Sequence, residues 1–493
     1  MASSEHTPGK PMPAGASQLE KVLGRRDLIL LFVAAVANLN IVPAIAAAGP
    51  LTLWIWLLAF AAYFWPQGVA VTELSAVWPG EGGVYIWTKN SFGEMHSFIA
   101  AWCYWLANVV YLPTVLLSCI GVAVYVFGPS VQKLADNPAF TGTASIALLA
   151  VLLLLNIRGE SAGKWITNLG GIGTLIGAVV ICALAAMVLM HHGGAVTATA
   201  LTPHFSDWRM LAIFGTVCYS LQGLDLASIM GDEIREPKKV LPGAIFWGGV
   251  ISGIAYIGVT GAMLVALPRE QIGVMTGVLQ SISSMADKVH LGLIVAPVAL
   301  FEAAAILGTA AAWFSGAARL PFVAGIDNYL PQALGRVHPR YHTPYIALIV
   351  FAVLSALLIL MSYMGASVSE AYLTLLAISV VLQLIPNVYM FAALLKLARH
   401  RRYPRWERKR MVSNGAFGLG SSMLGICLAF VPADSTTHVW LYEAKMICAI
   451  GGVLGIALLL YLRARRGKRA ALRQLAPDSG TISAQISNLT GLS

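Results

Sequence analysis

Charge is the scarcest property of this sequence. Among its 493 residues 11% are Asp, Glu, Lys or Arg, against 58% hydrophobic, and the mean hydropathy is +0.75. So few polar groups could not cover a water-soluble fold, which excludes a soluble enzyme or binding module. The chain also lacks a Gly-Lys-Ser/Thr loop to cradle phosphates, shows no metal-ligand spacing among its 10 histidines, and has no Ser-His-Asp set in an extramembrane segment. ATP hydrolysis is excluded as an energy source on that ground, and the sequence predicts no cofactor, no metal and no covalent chemistry. The six cysteines, Cys103, Cys119, Cys182, Cys218, Cys427 and Cys448, all lie in apolar stretches, so they read as packing residues rather than disulfides. Residues 1–26 carry Lys10, Lys21, Arg25 and Arg26 without an apolar core, which predicts no cleavable leader and leaves insertion to the first span.

What the chain does have is hydrocarbon-length runs. A bilayer core takes a helix of about 20 apolar residues, and such runs recur at 27–49, 52–77, 96–127, 141–156, 165–191, 210–231, 241–267, 290–318, 344–364, 370–396, 414–432 and 438–462. The predicted fold class is therefore an all-α integral membrane protein of twelve transmembrane helices. Of the 32 basic residues, Lys133, Arg209, Arg269 and Lys288 alone fall in outer loops if the N-terminus is inside, with Lys445 in the last span. Cationic loops stay cytoplasmic, so both termini are expected there. The net charge of +10 then reflects topology and attraction to anionic lipid. Nucleic acid is not an expected partner, because the basic residues are scattered over several loops without stacking aromatics.

Comparing the spans in fives organises the chain further. Five is odd, so a second group of five enters the membrane from the opposite side, the inverted repeat of many secondary transporters. The expected organisation is a polar tail 1–26, a first repeat 27–191, a second 210–396, two further helices 414–462, and a tail 463–493 that is basic and then polar. Spans one and six then correspond, and each is interrupted near mid-depth: "NLNIVP" from Asn38 to Pro43, and "YSLQGLD" from Tyr219 to Asp225. A broken helix in hydrocarbon leaves main-chain groups unpaired, a cost tolerated only beside protein or a wet cavity. Pro43 suits the first turn of a restarting half-helix, whose positive end attracts a carboxylate. Carbonyls freed around Ser220 to Gly223 attract an ammonium. Donors for an anion beside acceptors for a cation describe a site for an α-amino acid.

The residues carry a family resemblance as well. "VTELSAVWPGEGGVYIWTKNSFG", "GLDLASIMGDEIREPKKVLPGAI" and "GAARLPFVAGIDNYLPQALGRVHPRYHTP" resemble the signatures of amino-acid permeases of the amino acid-polyamine-organocation superfamily. The resemblance runs from Leu23 to about Leu462. "EGGVYIWTKNSFG" followed by "AWCYWLANVVYLPTVL" is similar to the bacterial glutamate/GABA antiporter branch. It implies the leucine-transporter fold, five plus five helices and two more, a central site between helices 1, 3, 6, 8 and 10, alternating access, and a bacterial inner-membrane location.

Carried over residue by residue, the resemblance puts the aromatic gate on Tyr219, the unwound stretch on Ser220, Leu221, Gln222, Gly223 and Leu224, and the helix 8 aromatic on Trp313. Many members have Gly-Ser-Gly at the helix 1 break; Val36, Ala37 and Asn38 stand here. The expected substrate contacts in this break are therefore Asn38, Leu39, Asn40 and Ile41, with the amides of Asn38 and Asn40 as possible donors. Where some sodium-independent members carry a lysine on helix 5, this chain has Thr174, with Lys164 nearer the cytoplasmic end; Thr174 is compatible with a hard cation such as sodium.

Three carboxylates lie within or at the ends of spans, where burial is costly and usually functional. Asp225 and Glu302 are the candidates for coupling or gating, with protons as the partner. Glu73 reads as a brace of cytoplasmic loops. Glu302 and Trp313 are about three turns apart and share a helix face, so both are expected to look into the pathway. Aromatics of helix 3 (Trp102, Tyr104, Trp105, Tyr111), and Asn387 and Tyr389 on helix 10, read first as packing. The expected function is secondary active transport of amino acids, by proton symport or by exchange. The alternatives are a polyamine carrier, for which acidic residues would line the site, and a sensor or channel built on the same scaffold.

Overall fold

The computed structural model describes residues 29, 32, 33, 36–78, 82–158, 160–192, 211–225, 237–326, 329–341, 343–362, 368–400, 403–432 and 439–475. Both tails and the motif residues Asp232, Glu233 and Arg235 lie outside them, as does the side chain of Lys164.

The described residues are helical and contain no strand. After a 3-10 turn at Leu39–Ile41 come α1 (Val42–Ala46), α2 (Thr52–Val77), α3 (Val84–Phe92), α4 (Glu94–Ala123), α5 (Pro138–Arg158), α6 (Glu160–His192) and α7 (Ile213–Ser220). The second half holds α8 (Pro237–Ala266), α9 (Gly277–Lys288), α10 (Val295–Ile326), α11 (Tyr345–Ser362), α12 (Val368–His400), α13 (Arg405–Leu428) and α14 (Val439–Leu475). Among the described residues nine helices are long and apolar enough to cross a membrane, and Tyr345–Met361 is a shorter apolar one. Their outer faces carry bare apolar side chains, such as Leu57, Val179, Ile254, Leu300 and Leu459, which suits a hydrocarbon solvent.

Inside a bilayer every main-chain group needs a protein partner, and prolines in α2 and α4 make that demand visible. Pro66 has no N–H for the carbonyl of Ala62, and the Ser421 hydroxyl of α13 donates to it at 3.0 Å. A π-helical turn at Phe60–Phe64 precedes the proline, as expected where the hydrogen-bond ladder is displaced. Pro113, inside α4, likewise deserts the carbonyl of Val109, which accepts from the Ser355 hydroxyl of α11 at 3.0 Å. In both cases a neighbouring helix supplies the donor that proline lacks.

The most extensive helix contact is α6 with α10. It depends on glycines. A Cβ placed on Gly173 would lie 2.6 Å from the Phe301 carbonyl oxygen, and one on Gly170 would lie 2.9 Å from the Gly308 Cα. Small residues let two backbones approach where lipid gives no hydrophobic drive for association.

Helix ends depart from the expected spans. α13 begins at Arg405 and α14 continues to Leu475, well beyond the apolar windows at 414–432 and 438–462. Hydropathy marks the hydrocarbon edge, whereas a helix continues through the headgroups as long as its residues favour helix. The stretch between spans seven and eight, expected as a loop, contains α9. Its apolar face, including Val278, Leu279, Ile282 and Met285, is buried, and it packs on α6 and α8.

Candidate functional site

Two interruptions meet at the centre of the bundle. In the first, Ala37 and Asn38 leave the helical path, Asn38 taking extended angles (φ −91°, ψ 90°), before the chain restarts as the 3-10 turn and α1 with Pro43 in its first turn. In the second, α7 stops at Ser220 and residues 221–225 are non-helical. Gly223 there has φ +127°, a conformation that disfavours any side chain.

Tyr256 of α8 joins them. Its hydroxyl donates to the carbonyls of Ser220, at 2.8 Å, and Val36, and accepts from the Asn38 N–H at 3.0 Å. The ring stacks on Trp56 with centroids 4.3 Å apart, and the Trp56 indole N–H donates to Thr260 at 3.0 Å. This residue gives no signal in the sequence, where it is one aromatic in a long apolar helix.

Between the breaks lies a small, partly open pocket, with free volume of about 20 Å3. The first break contributes Asn38 and Ile41, the second Tyr219, Ser220 and Gln222; α4 adds Asn108 and Tyr111, α10 adds Trp313, and α12 adds Gln383. Of the sequence-predicted contacts, six therefore share one cavity wall. Leu39, Asn40, Leu221 and Gly223 belong to the breaks without lining the cavity. Asn108, Tyr111 and Gln383 were passed over or read as packing, because one amide or phenol per helix carries no periodic signal.

The side chains here are mostly committed to one another. Tyr111 accepts from the Asn38 amide and donates to the Asn40 Oδ1 at 3.2 Å, while the Tyr372 hydroxyl donates to the Asn40 carbonyl at 3.0 Å. Tyr111 and Tyr219 meet edge to face, with centroids 5.3 Å apart. The two asparagines thus hold Tyr111 and shape the break. At Gln222 the amide donates to Tyr63, which also accepts from Asn387 at 2.8 Å, and the Gln222 Oε1 accepts from Gln67 at 3.0 Å. Gln222 is fixed from both ends.

The predicted coupling residues lie outside the cavity lining. Asp225 is buried, with the Tyr104 hydroxyl facing it. Thr174 is buried in α6, and its hydroxyl donates to the Gly170 carbonyl of its own helix at 3.1 Å. Glu302 is buried on the same helix as Trp313, but α6 covers that face at its depth, where Gly177 lies against the carboxyl. A shared helix face does not give a shared exposure when a second helix crosses part of it. Glu73 pairs with Arg410 of α13. Among the described residues no group of His, Cys, Asp and Glu is arranged to hold a metal.

Comparison with known proteins follows the same outline. A family model described as amino acid permease matches residues 23–458. An uncharacterized transporter of Legionella pneumophila is 26% identical over 91% of this chain and 97% of its own length. A probable agmatine/putrescine antiporter of Lactococcus lactis is 20% identical over 72% of this chain and 75% of its own. A branched-chain amino acid permease of Bacillus subtilis is 26% identical over 70% and 76%. With a broken-helix cavity among membrane-length helices and a family match over nearly its whole length, the chain is a multi-pass membrane transporter, not an enzyme, and belongs to the amino acid permease family of the amino acid-polyamine-organocation superfamily.

Proposed function

We propose that this protein carries neutral α-amino acids across a bacterial cytoplasmic membrane by alternating access, with the cavity between the two breaks as the substrate site. The observation that carries this reading is the cavity's composition: its lining holds amides, hydroxyls, aromatic rings and one isoleucine, and no charged side chain. A zwitterion needs no counter-charge from side chains. At the first break Asn38 and Ile41 line the cavity, and the non-helical main chain at Asn38 suits a carboxylate. The carbonyls around the end of α7 suit the ammonium. Trp313 and Tyr219 close over an apolar or aromatic side chain, with Asn108 and Gln383 at the polar edge.

A polyamine carries two or more positive charges, and desolvating them without a carboxylate is costly. Neither Asp225 nor Glu302 lines the cavity, which favours the amino acid over the polyamine reading despite the antiporter relative. The wider architecture belongs to the same proposal: twelve spans, five-helix repeats of opposite orientation, two added helices and cytoplasmic termini.

Counterflow in proteoliposomes tests it. Vesicles loaded with unlabelled leucine, glutamine or phenylalanine should accumulate the labelled compound, while putrescine and spermidine should not. Accumulation of the polyamines alone would reject the reading. Uptake with and without an inward proton gradient separates symport from exchange.

A further inference from the structure

Glu302 lies about 16 Å along α10 from Trp313, at 1.5 Å per residue. It is 2% exposed. Among the described residues its Oε2 has no hydrogen-bond partner, and no salt bridge reaches it. From α6 it meets Gly177, on which any Cβ would strike Oε2. From α4 the titratable group facing it is the Cys119 thiol, which donates to the neighbouring Ala303 carbonyl at 3.4 Å. α10 itself has no other ionisable residue between Val295 and Ala318. An ionised carboxylate without a counter-charge at this depth is expensive. A packing helix would ordinarily place a leucine here. Instead the sequence keeps a carboxyl, with a glycine opposite it.

We propose that Glu302 is a proton-binding site of the transport cycle, separate from the substrate cavity and seated in the α6–α10 seam. The carboxyl binds one proton while the seam is closed, and when the helices part and water enters, its O–H bond breaks and the proton leaves to that water. Because the charged form fits only the open seam, proton release and helix separation are one linked equilibrium. The inference rests on the transport reading above and adds the coupling ion to it.

The test uses the full-length protein in proteoliposomes containing an internal pH-sensitive dye, with labelled leucine, glutamine and phenylalanine as probes. Wild type should show uptake driven by an inward proton gradient, with alkalinisation outside and acidification inside. Glu302→Gln should keep counterflow within about twofold and lose gradient-driven uptake and proton movement at least about tenfold. Glu302→Asp, which keeps a carboxyl, should move the pH of half-maximal uptake. The wild-type-minus-Gln infrared difference spectrum at neutral pH should contain a carbonyl band from a protonated carboxyl, which separates Glu302 from the buried Asp225; this measurement needs no substrate. Proton-driven uptake unchanged in the Gln variant, a pH profile unchanged in the Asp variant, or no such infrared band overturns the proposal. Counterflow reads the substrate assignment, and the proton and infrared measurements read Glu302, so the two fail separately.

Discussion

The hydroxyl of Tyr256 donates to the main-chain carbonyl of Ser220 at 2.8 Å, and through the same atom it reaches Val36 and Asn38 of the other break. Tyr256→Phe removes the hydroxyl and little else. A buried carbonyl left without its donor costs about 1–3 kcal/mol, so the variant should unfold at lower temperature in detergent and transport more slowly. Wild-type stability and transport in Tyr256→Phe would show that the hydroxyl does not hold the two segments.

Trp313→Ala and Tyr219→Ala remove the aromatic walls of the cavity. Each should weaken apparent affinity for leucine by roughly tenfold or more, which corresponds to about 1.4 kcal/mol. Insertion and detergent stability should change less, because both rings face the cavity. Kinetics identical to wild type would remove that ring from the substrate site.

The Pro113–Ser355 pair gives a test of how this bundle satisfies its backbone. Ser355→Ala orphans the Val109 carbonyl and should cost about 1–3 kcal/mol, read as a lower midpoint of thermal unfolding. Adding Pro113→Ala restores a backbone N–H within reach of that carbonyl. The double variant should therefore recover much of the loss, a coupling measurable as a double-mutant cycle. Simple additivity would refute the pairing.

Gly173→Ala puts a methyl 2.6 Å from the Phe301 carbonyl oxygen, where backbone rather than a flexible side chain must yield. Overpacking of that kind costs about 1–3 kcal/mol, and here it should pry α6 from α10. Reduced yield of folded protein and a lowered unfolding midpoint are the expected results. Gly261, which has no neighbour within 4 Å of an added Cβ, serves as the control position.

Much of the fold was legible because the bilayer imposes a coarse rule: long apolar runs become helices. The breaks were legible for the same reason, since Asn38, Asn40 and Pro43 in one run, and Gln222, Gly223 and Asp225 in another, are residues hydrocarbon does not tolerate without purpose. Tyr256, Tyr63 and Gln67 were not legible. Their meaning lies in which atoms they reach across 36 to 324 residues of chain, and no local pattern records that distance. The partner of the Asn38 amide at the first break was not legible either: it donates to Tyr111, 73 residues along the chain. Glu302 was recognisable as an ionisable group out of place, but its seat against Gly177 depends on how two distant helices cross.

Tyr256 has a single phenolic proton and two carbonyls within its reach, one from each broken segment. Strengthening either bond weakens the other, so the segments compete for one hydrogen. The two broken segments are therefore tied through a single oxygen atom.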